Sequence, residues 1–351
     1  MVPAHGTNLQ MSNHKGHKMH NNKFAGFLFV GVIVSGVPPV IAAEQAATAE
    51  QAVGAIEEVF GVTPGQRRNH TKGTCALGEF IGTSEAAAYS RSPLFSGNKL
   101  PVVARFSLAG GNPNAPDTAK TPRGMALEFA LPDNGLQHIT MLNTPMFGAA
   151  KPETFLAQMI SMKPDPESGK PDPEKLKKFR DSHPDNRPQA EFLASHNPPS
   201  SYASSTYFGI HTFKFIDRDG KVTPVRWRFV PGDGEMRLSD AELKTMPPDF
   251  LERRLIERAS KGKLRWDMIV TVGEPGDTED NPTLTWPEGR KQVKAGTLTI
   301  YSAMPQQGAV CENINFDPLV MGAGIEPSND PILLFRSTAY AVSFAKRLSG
   351  M

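Results

Sequence analysis

FDPLVMGAGIEPSNDPILLFRSTAYAVSFAKR (316–347) is the most informative stretch of the chain: a turn-rich lead-in runs into a helix with its start signals in place. Ser328 is a natural cap, Asp330 suits the positive first turn, and Pro331 is tolerated there because the first N–H groups of a helix lack partners. The helix is expected to run through ILLFRSTAYAVSFAKR. Arg336 and Tyr340 are four residues apart, so they share one face, about 5.4 Å apart along the axis. A fixed guanidinium beside a phenol favours the phenolate, lowering a pKa that otherwise lies at about 10. A phenolate is a hard anionic donor suited to ferric iron, and Tyr is one of the side chains that serve haem as axial ligand. Taken alone, Arg and Tyr one turn apart are ordinarily a surface pair. The rest of the chain decides what this pair is.

The chain has 351 residues, of which 39% are hydrophobic, including 20 Phe. That is enough to bury a sizeable core. Its 38 basic and 36 acidic residues leave +2, and Lys15, Lys18 and Lys23, in a segment without Asp or Glu, account for more than that excess. A nearly neutral body argues against nucleic acid or an anionic membrane as its main partner. With 31 Gly and 31 Pro the composition favours a turn-rich fold over a helix bundle. PVVARFSLA (101–109), GMALEFAL (124–131) and QHITML (137–142) read as strands separated by turn-forming segments. HTFKFI (211–216) and VTPVRWRFV (222–230), joined across Asp219-Gly220, read as a hairpin, and WDMIVTV and GTLTIYSA as further strands. Residues 44–60 predict a helix lying on the body, with Val53, Ile56 and Phe60 at helical spacing. A short helix is expected near Glu174–Phe179, and residues 239–262 predict a polar helical insertion. Strands with helical excursions, without βαβ alternation and without GxGxxG, indicate an α+β fold built on antiparallel strands.

FAGFLFVGVIVSGV (24–37), preceded by basic residues and followed by small ones, has the parts of a secretory signal. At 14 residues it is short of the roughly 20 that span a bilayer, though an uncleaved anchor is the competing reading. Residues 1–43 are therefore expected to be a signal peptide, and the mature chain periplasmic. Export would place the two cysteines, Cys75 and Cys311, where thiols can oxidise. Their spacing does not say whether they pair, and two buried free thiols is the favoured expectation.

Five further segments accompany the last helix: RRNHTKG (67–73), PVVARFS (101–107), DTAKTPRGMALEF (117–129), LNTPMF (142–147) and the lead-in from Phe316. In this order they resemble the haem catalase superfamily, and most nearly its short branch, the catalase-related peroxidases. The resemblance covers roughly residues 60–351. It implies a catalase-like antiparallel β-barrel core with surrounding and C-terminal helices, 44–351 forming a single catalase-core haem-binding domain. It implies haem, of the b type, with Tyr340 as the iron ligand and Arg336 as the residue that keeps it ionised. His70 matches the distal His, which moves a proton between the two peroxide oxygens, and Ser107 the residue that orients it. Arg67, Arg105 and Arg347 match positions that bind haem propionates, a task for which the planar guanidinium suits carboxylates. Phe155 resembles an aromatic residue beside the distal pocket and His211 a pocket-side strand residue. Arg68 is expected to lie outside the site.

Two departures bear on activity. The family's full catalases have a peroxide-binding Asn at the position where this chain has Leu142, and Asn143 would substitute only if the loop shifted. The chain also stops eleven residues after Tyr340, without the later segments and the nicotinamide-nucleotide site of larger members. Both favour a peroxidase that reduces hydrogen peroxide or organic peroxides with small organic donors, without NADPH. The alternatives are a true minimal catalase, a hydroperoxide isomerase and a non-catalytic haem carrier. A homodimer is a compatible assembly that the sequence does not decide.

Overall fold

The computed structural model describes residues 46–351; the expected signal peptide lies outside them. α1 (Ala49–Phe60) precedes β1 (Gly73–Gly82), α2 (Ser84–Ala87), β2 (Lys99–Leu108), β3 (Arg123–Ala130) and β4 (Leu136–Leu142). Three helices follow, α3 (Pro152–Ser161), α4 (Pro173–Ser182) and α5 (Arg187–Ser195), then the hairpin β5 (Tyr207–Ile216) and β6 (Val222–Pro231). α6 (Asp240–Thr245) and α7 (Phe250–Lys261) lead to β7 (Leu264–Val272) and β8 (Gln292–Pro305). α8 (Val310–Asn313), β9 (Ile325–Pro327) and α9 (Pro331–Leu348) complete the order. No helix among the described residues is long and apolar enough to cross a membrane.

The strands pair antiparallel in the order β4-β3-β2-β1-β8-β7-β6-β5-β9, and Leu142 pairs with Phe208 to join β4 to β5. Eight strands thus close into a barrel, with β9 laid on β5. Period-two alternation sorts their side chains. Val102, Ala104 and Phe106 of β2, Met125, Leu127 and Phe129 of β3, and Val225, Trp227 and Phe229 of β6 belong to one buried core. Aromatic rings fill it: Phe80 meets Phe129 edge-on at 5.3 Å, and Phe106 lies against Tyr202, Tyr207 and Trp266. Gly296 leaves the room that the Phe80 ring occupies.

Several sequence expectations change here. The insertion at 239–262 is two helices, and α7 is amphipathic rather than merely polar: Phe250, Leu251, Leu255 and Ala259 join the barrel core. α5 was not anticipated, because Arg187, Pro188 and Gln189 hide its start. The cap of α9 is Asp330, whose carboxylate accepts from the N–H groups of Ile332 and Leu333; Ser328 only accepts from Asp330 N–H. Cys75 and Cys311 are not free thiols. Both are fully buried and form a disulfide, with Cα atoms 5.6 Å apart, within the usual range. The 236 residues separating them hid a proximity that barrel closure creates.

Candidate active site

Strand register builds the floor of the site. Across β1–β4, Cys75, Arg105, Ala126 and Thr140 stand opposite one another in one row, and Gly73, Ser107, Gly124 and Leu142 in another. These side chains alternate with the core residues, so they point out of the barrel. Arg105, Ser107, Gly124, Ala126, Thr140 and Leu142 line a cavity with about 1320 Å³ of empty space, part of it open to solvent. Helices supply the other walls: Ala52, Val53 and Ile56 from α1, Phe155 from α3, and Arg336, Tyr340, Phe344 and Arg347 among others from α9. The walls include His70, Ser107, Arg67, Arg105, Arg336, Arg347, Phe155 and Tyr340 together.

His70 has φ +54°, a left-handed conformation that few non-glycine residues adopt. Asn69 holds it there: its Oδ1 accepts from the N–H of His70 and of Gly110, each at 2.8 Å. The polar residue before the histidine thus serves the backbone. His70 Nδ1 lies 2.9 Å from Ser107 Oγ. Gly124 makes this possible, since a Cβ there would lie 2.8 Å from Ser107 Oγ and 3.1 Å from the imidazole. Burial, reinforced by the positive charges of Arg105, Arg336 and Arg67, pushes the His70 pKa down to about 3. The imidazole is neutral at ordinary pH, with Nε2 making no hydrogen bond among the described residues.

Three arginines cluster in the same cavity. Arg67 Nη2 donates to the carbonyls of Cys311 and Ile314, and Arg347 Nη1 to that of Glu312. Arg105 Nη2 donates to the carbonyl of His70 at 2.7 Å and to Gln306 Oε1 at 2.6 Å. Burial and the neighbouring cations Arg105 and Arg347 lower the Arg67 pKa to about 8, and burial above all lowers that of Arg105 to about 10. Three cations brought to one cavity suit an anionic group such as a carboxylate. Arg68 was expected outside; it contributes to the wall, but its guanidinium is occupied by Glu57, at 2.5 Å, and by the carbonyls of Gln66 and Met351. Phe155 stacks on Phe147 with ring centroids 6.2 Å apart.

On α9, Arg336 Nη2 donates to Tyr340 Oη at 2.7 Å and to Thr140 Oγ1 at 2.8 Å. Its Nη1 lies 3.0 Å from His211 Nε2, whose ring lies behind the arginine rather than on the cavity wall where it was expected. Because arginine has only donors, His211 Nε2 accepts, and Nδ1–H donates to Asp330 Oδ2 at 2.6 Å. Burial lowers the His211 pKa despite Asp330, in keeping with a neutral ring. Asp330 therefore caps α9 and anchors the chain of contacts Asp330–His211–Arg336–Tyr340. The phenol oxygen thus receives a hydrogen bond from a charged donor. Among the described residues no three His, Cys, Asp or Glu side chains gather to hold a metal ion. The donor set instead fits an iron whose remaining ligands belong to a porphyrin.

Leu142 faces the cavity, while Asn143 Oδ1 accepts from Arg123 N–H at 2.7 Å. The loop has not shifted to bring an amide to His70. Sequence reasoning missed Gln306 and Thr140; only their place in the register or beside the arginines marks them.

The Catalase family model matches residues 63–351. The chain is 58% identical over 326 residues to a catalase-related peroxidase of Synechococcus elongatus, covering 93% of each chain. It is 34% identical to a catalase-related peroxidase of Mycolicibacterium paratuberculosis, covering 86% of this chain and 95% of that one. Among solved structures, a bacterial catalase matches with a TM-score of 0.75 at 27% identity, over 82% of this chain and 58% of that one. A catalase from Saccharomyces cerevisiae matches with the same TM-score at 25% identity, over 82% and 62%. The chain thus spans about 60% of the length of these solved catalases.

Proposed function

This chain belongs to the catalase family, in its branch of catalase-related peroxidases, and on that footing we propose that it is a periplasmic haem peroxidase reducing hydrogen peroxide or organic peroxides with small organic donors. The observation that carries the reading is a single cavity joining neutral His70, an arginine-bound Tyr340 oxygen and three arginines, with Leu142 in place of an amide. Tyr340 would ligate the iron, and Arg67, Arg105 and Arg347 would hold the carboxylates of a haem of the b type. Bound there, the haem supplies the electron-transfer centre.

The protein's part is proton handling. His70 Nε2 takes the proton from one peroxide oxygen and returns it to the other, which departs as water from hydrogen peroxide and as an alcohol from an organic peroxide. Ser107 at Nδ1 and the Asn69-held backbone keep the ring in place for both transfers. A positioned acid–base of this kind contributes typically about 10²–10⁴-fold in rate. Arg336 holds the Tyr340 oxygen by a charged hydrogen bond, and Asp330 through His211 keeps Arg336 in place. Leu142 offers no hydrogen bond to a second peroxide, so electrons come from an organic donor, and the dismutation reading is the weaker one.

The test is to supply the haem-loaded protein with peroxide and a phenolic donor while recording donor oxidation and oxygen release together. Donor oxidation should dominate, and His70→Ala should abolish most of it. Vigorous oxygen release without donor oxidation would establish a catalase instead. Conversion of a lipid hydroperoxide without donor would establish an isomerase, and function unaffected by His70→Ala a carrier. The disulfide supports export, since such bonds persist in oxidising compartments. Sequencing the N-terminus of the periplasmic protein should find it near residue 44; retention of the first residues would refute cleavage.

A further inference from the structure

Residues 311–314 present four successive backbone carbonyls to two of the three cavity arginines. Cys311 and Ile314 accept from Arg67 at 3.0 and 2.5 Å, and Glu312 and Asn313 from Arg347 at 2.8 and 3.5 Å. The negative charge of Glu312 partly offsets the unfavourable environment of Arg67, Arg105 and Arg347. This shelf decides where the two guanidinium groups stand. Its own side-chain tie is Glu312 Oε2, which accepts from Gly308 N–H at 2.7 Å. α8 is a single turn of four residues without a side-chain cap bond, far below the roughly 12 residues at which a helix becomes self-supporting.

What ties it down is Cys311. Its sulfur is bonded to Cys75, and the pair is fully buried in a small cluster with Phe316, flanked by Val103, Ala126 and Ile314. Cys75 stands directly opposite Arg105 in the β1–β2 register. One covalent bond therefore links the shelf that holds Arg67 and Arg347 to the strand beside the third arginine. We propose that the Cys75–Cys311 disulfide is a positioning device that sets the three arginines for the two haem carboxylates. Opening it frees the shelf and weakens the protein's grip on haem. The inference rests on the haem reading above.

The test compares two ligands, haemin and haemin dimethyl ester, whose carboxylates are masked. Each is loaded onto the wild-type protein and onto the Cys75→Ala/Cys311→Ala double variant, and its loss to excess apomyoglobin is followed by absorption. Haemin should leave the variant roughly tenfold faster or more, the scale on which outer partners of a metal site act, while loss of the ester should be unchanged. Equal acceleration of both ligands would mean general loosening, and no change in either would mean no role; both overturn the proposal. Should that variant fail to fold, Cys75→Val/Cys311→Ala, which refills part of the space left by the sulfurs, carries the same comparison. A wild-type protein that takes up neither ligand refutes the haem reading itself, and shows it before any cysteine is changed.

Discussion

His70 concentrates most of the residue-scale physics of the site. Its backbone is left-handed, its ring is enclosed beside cations, and no carboxylate compensates. The folded pKa of about 3 lies below the ordinary value of about 6.5, so between these pH values the unfolded chain binds more protons than the folded one. The haem-free protein should lose stability as pH falls from about 6.5 towards 3, by up to about 1.4 kcal/mol per pH unit from this group. His70→Gln should flatten that limb, as urea melts across the range would show; an unchanged slope would contradict the burial of a neutral ring. A second residue-scale prediction concerns Leu142, which lies beside Gly124 across β3 and β4. Leu142→Asn keeps the branched side-chain shape in a smaller volume and places an amide in the cavity. Oxygen release should rise relative to donor oxidation, a ratio that an oxygen electrode and a chromogenic donor measure together. Tyr340→Phe removes the proposed iron ligand, and the absorption spectrum of the haem-loaded protein should change its ligation signature.

Two helices act as units. α9 begins at Asp330, which serves the helix end with one carboxylate oxygen and His211 with the other. Asp330→Ala should lose about 1 kcal/mol through the missing cap, and more through the buried imidazole left without its acceptor. Asp330→Asn retains a capping oxygen, so it should recover most of the cap energy while still altering the Arg336–Tyr340 pair. Thermal melts read the first effect and the spectrum of the haem-loaded protein the second; identical behaviour of the two variants in both would contradict this division. α1 forms an apolar wall of the cavity with Ala52, Val53 and Ile56, and Glu57 ties it to Arg68 and Lys346. Its helical spacing was legible in the sequence. That its apolar face meets the cavity, and that Arg68 is spent on Glu57, was not, because both depend on residues distant in the chain.

For the whole molecule, the barrel separates stability from chemistry by side-chain parity. Inward residues fill an aromatic core and outward residues of β2, β3 and β4 floor the site. Phe80, fully buried between Phe129 and Phe229, should cost about 3–5 kcal/mol when replaced by Ala, measured by denaturant unfolding. The outward row should keep its hydrogen bonds in that variant, so the absorption spectrum of the haem-loaded protein should survive wherever the protein remains folded. A lost spectrum in a folded Phe80→Ala protein would show that core and site are not separable.

Local patterns in the sequence were sufficient for seven of the nine strands, β1 and β9 excepted, the first and last helices, the Arg336–Tyr340 pair and the segment around His70, because period-two and period-3.6 spacing and turn chemistry act between near neighbours. Five motifs in register carried the family resemblance and, with it, the membership of the cavity. What only the tertiary structure decided are the long-range pairings: the Cys75–Cys311 bond, Asp330 under His211, Gln306 against Arg105 and the turning away of Asn143. Each joins groups that barrel closure or helix docking brings together, and neither propensity nor spacing records which distant segments will meet.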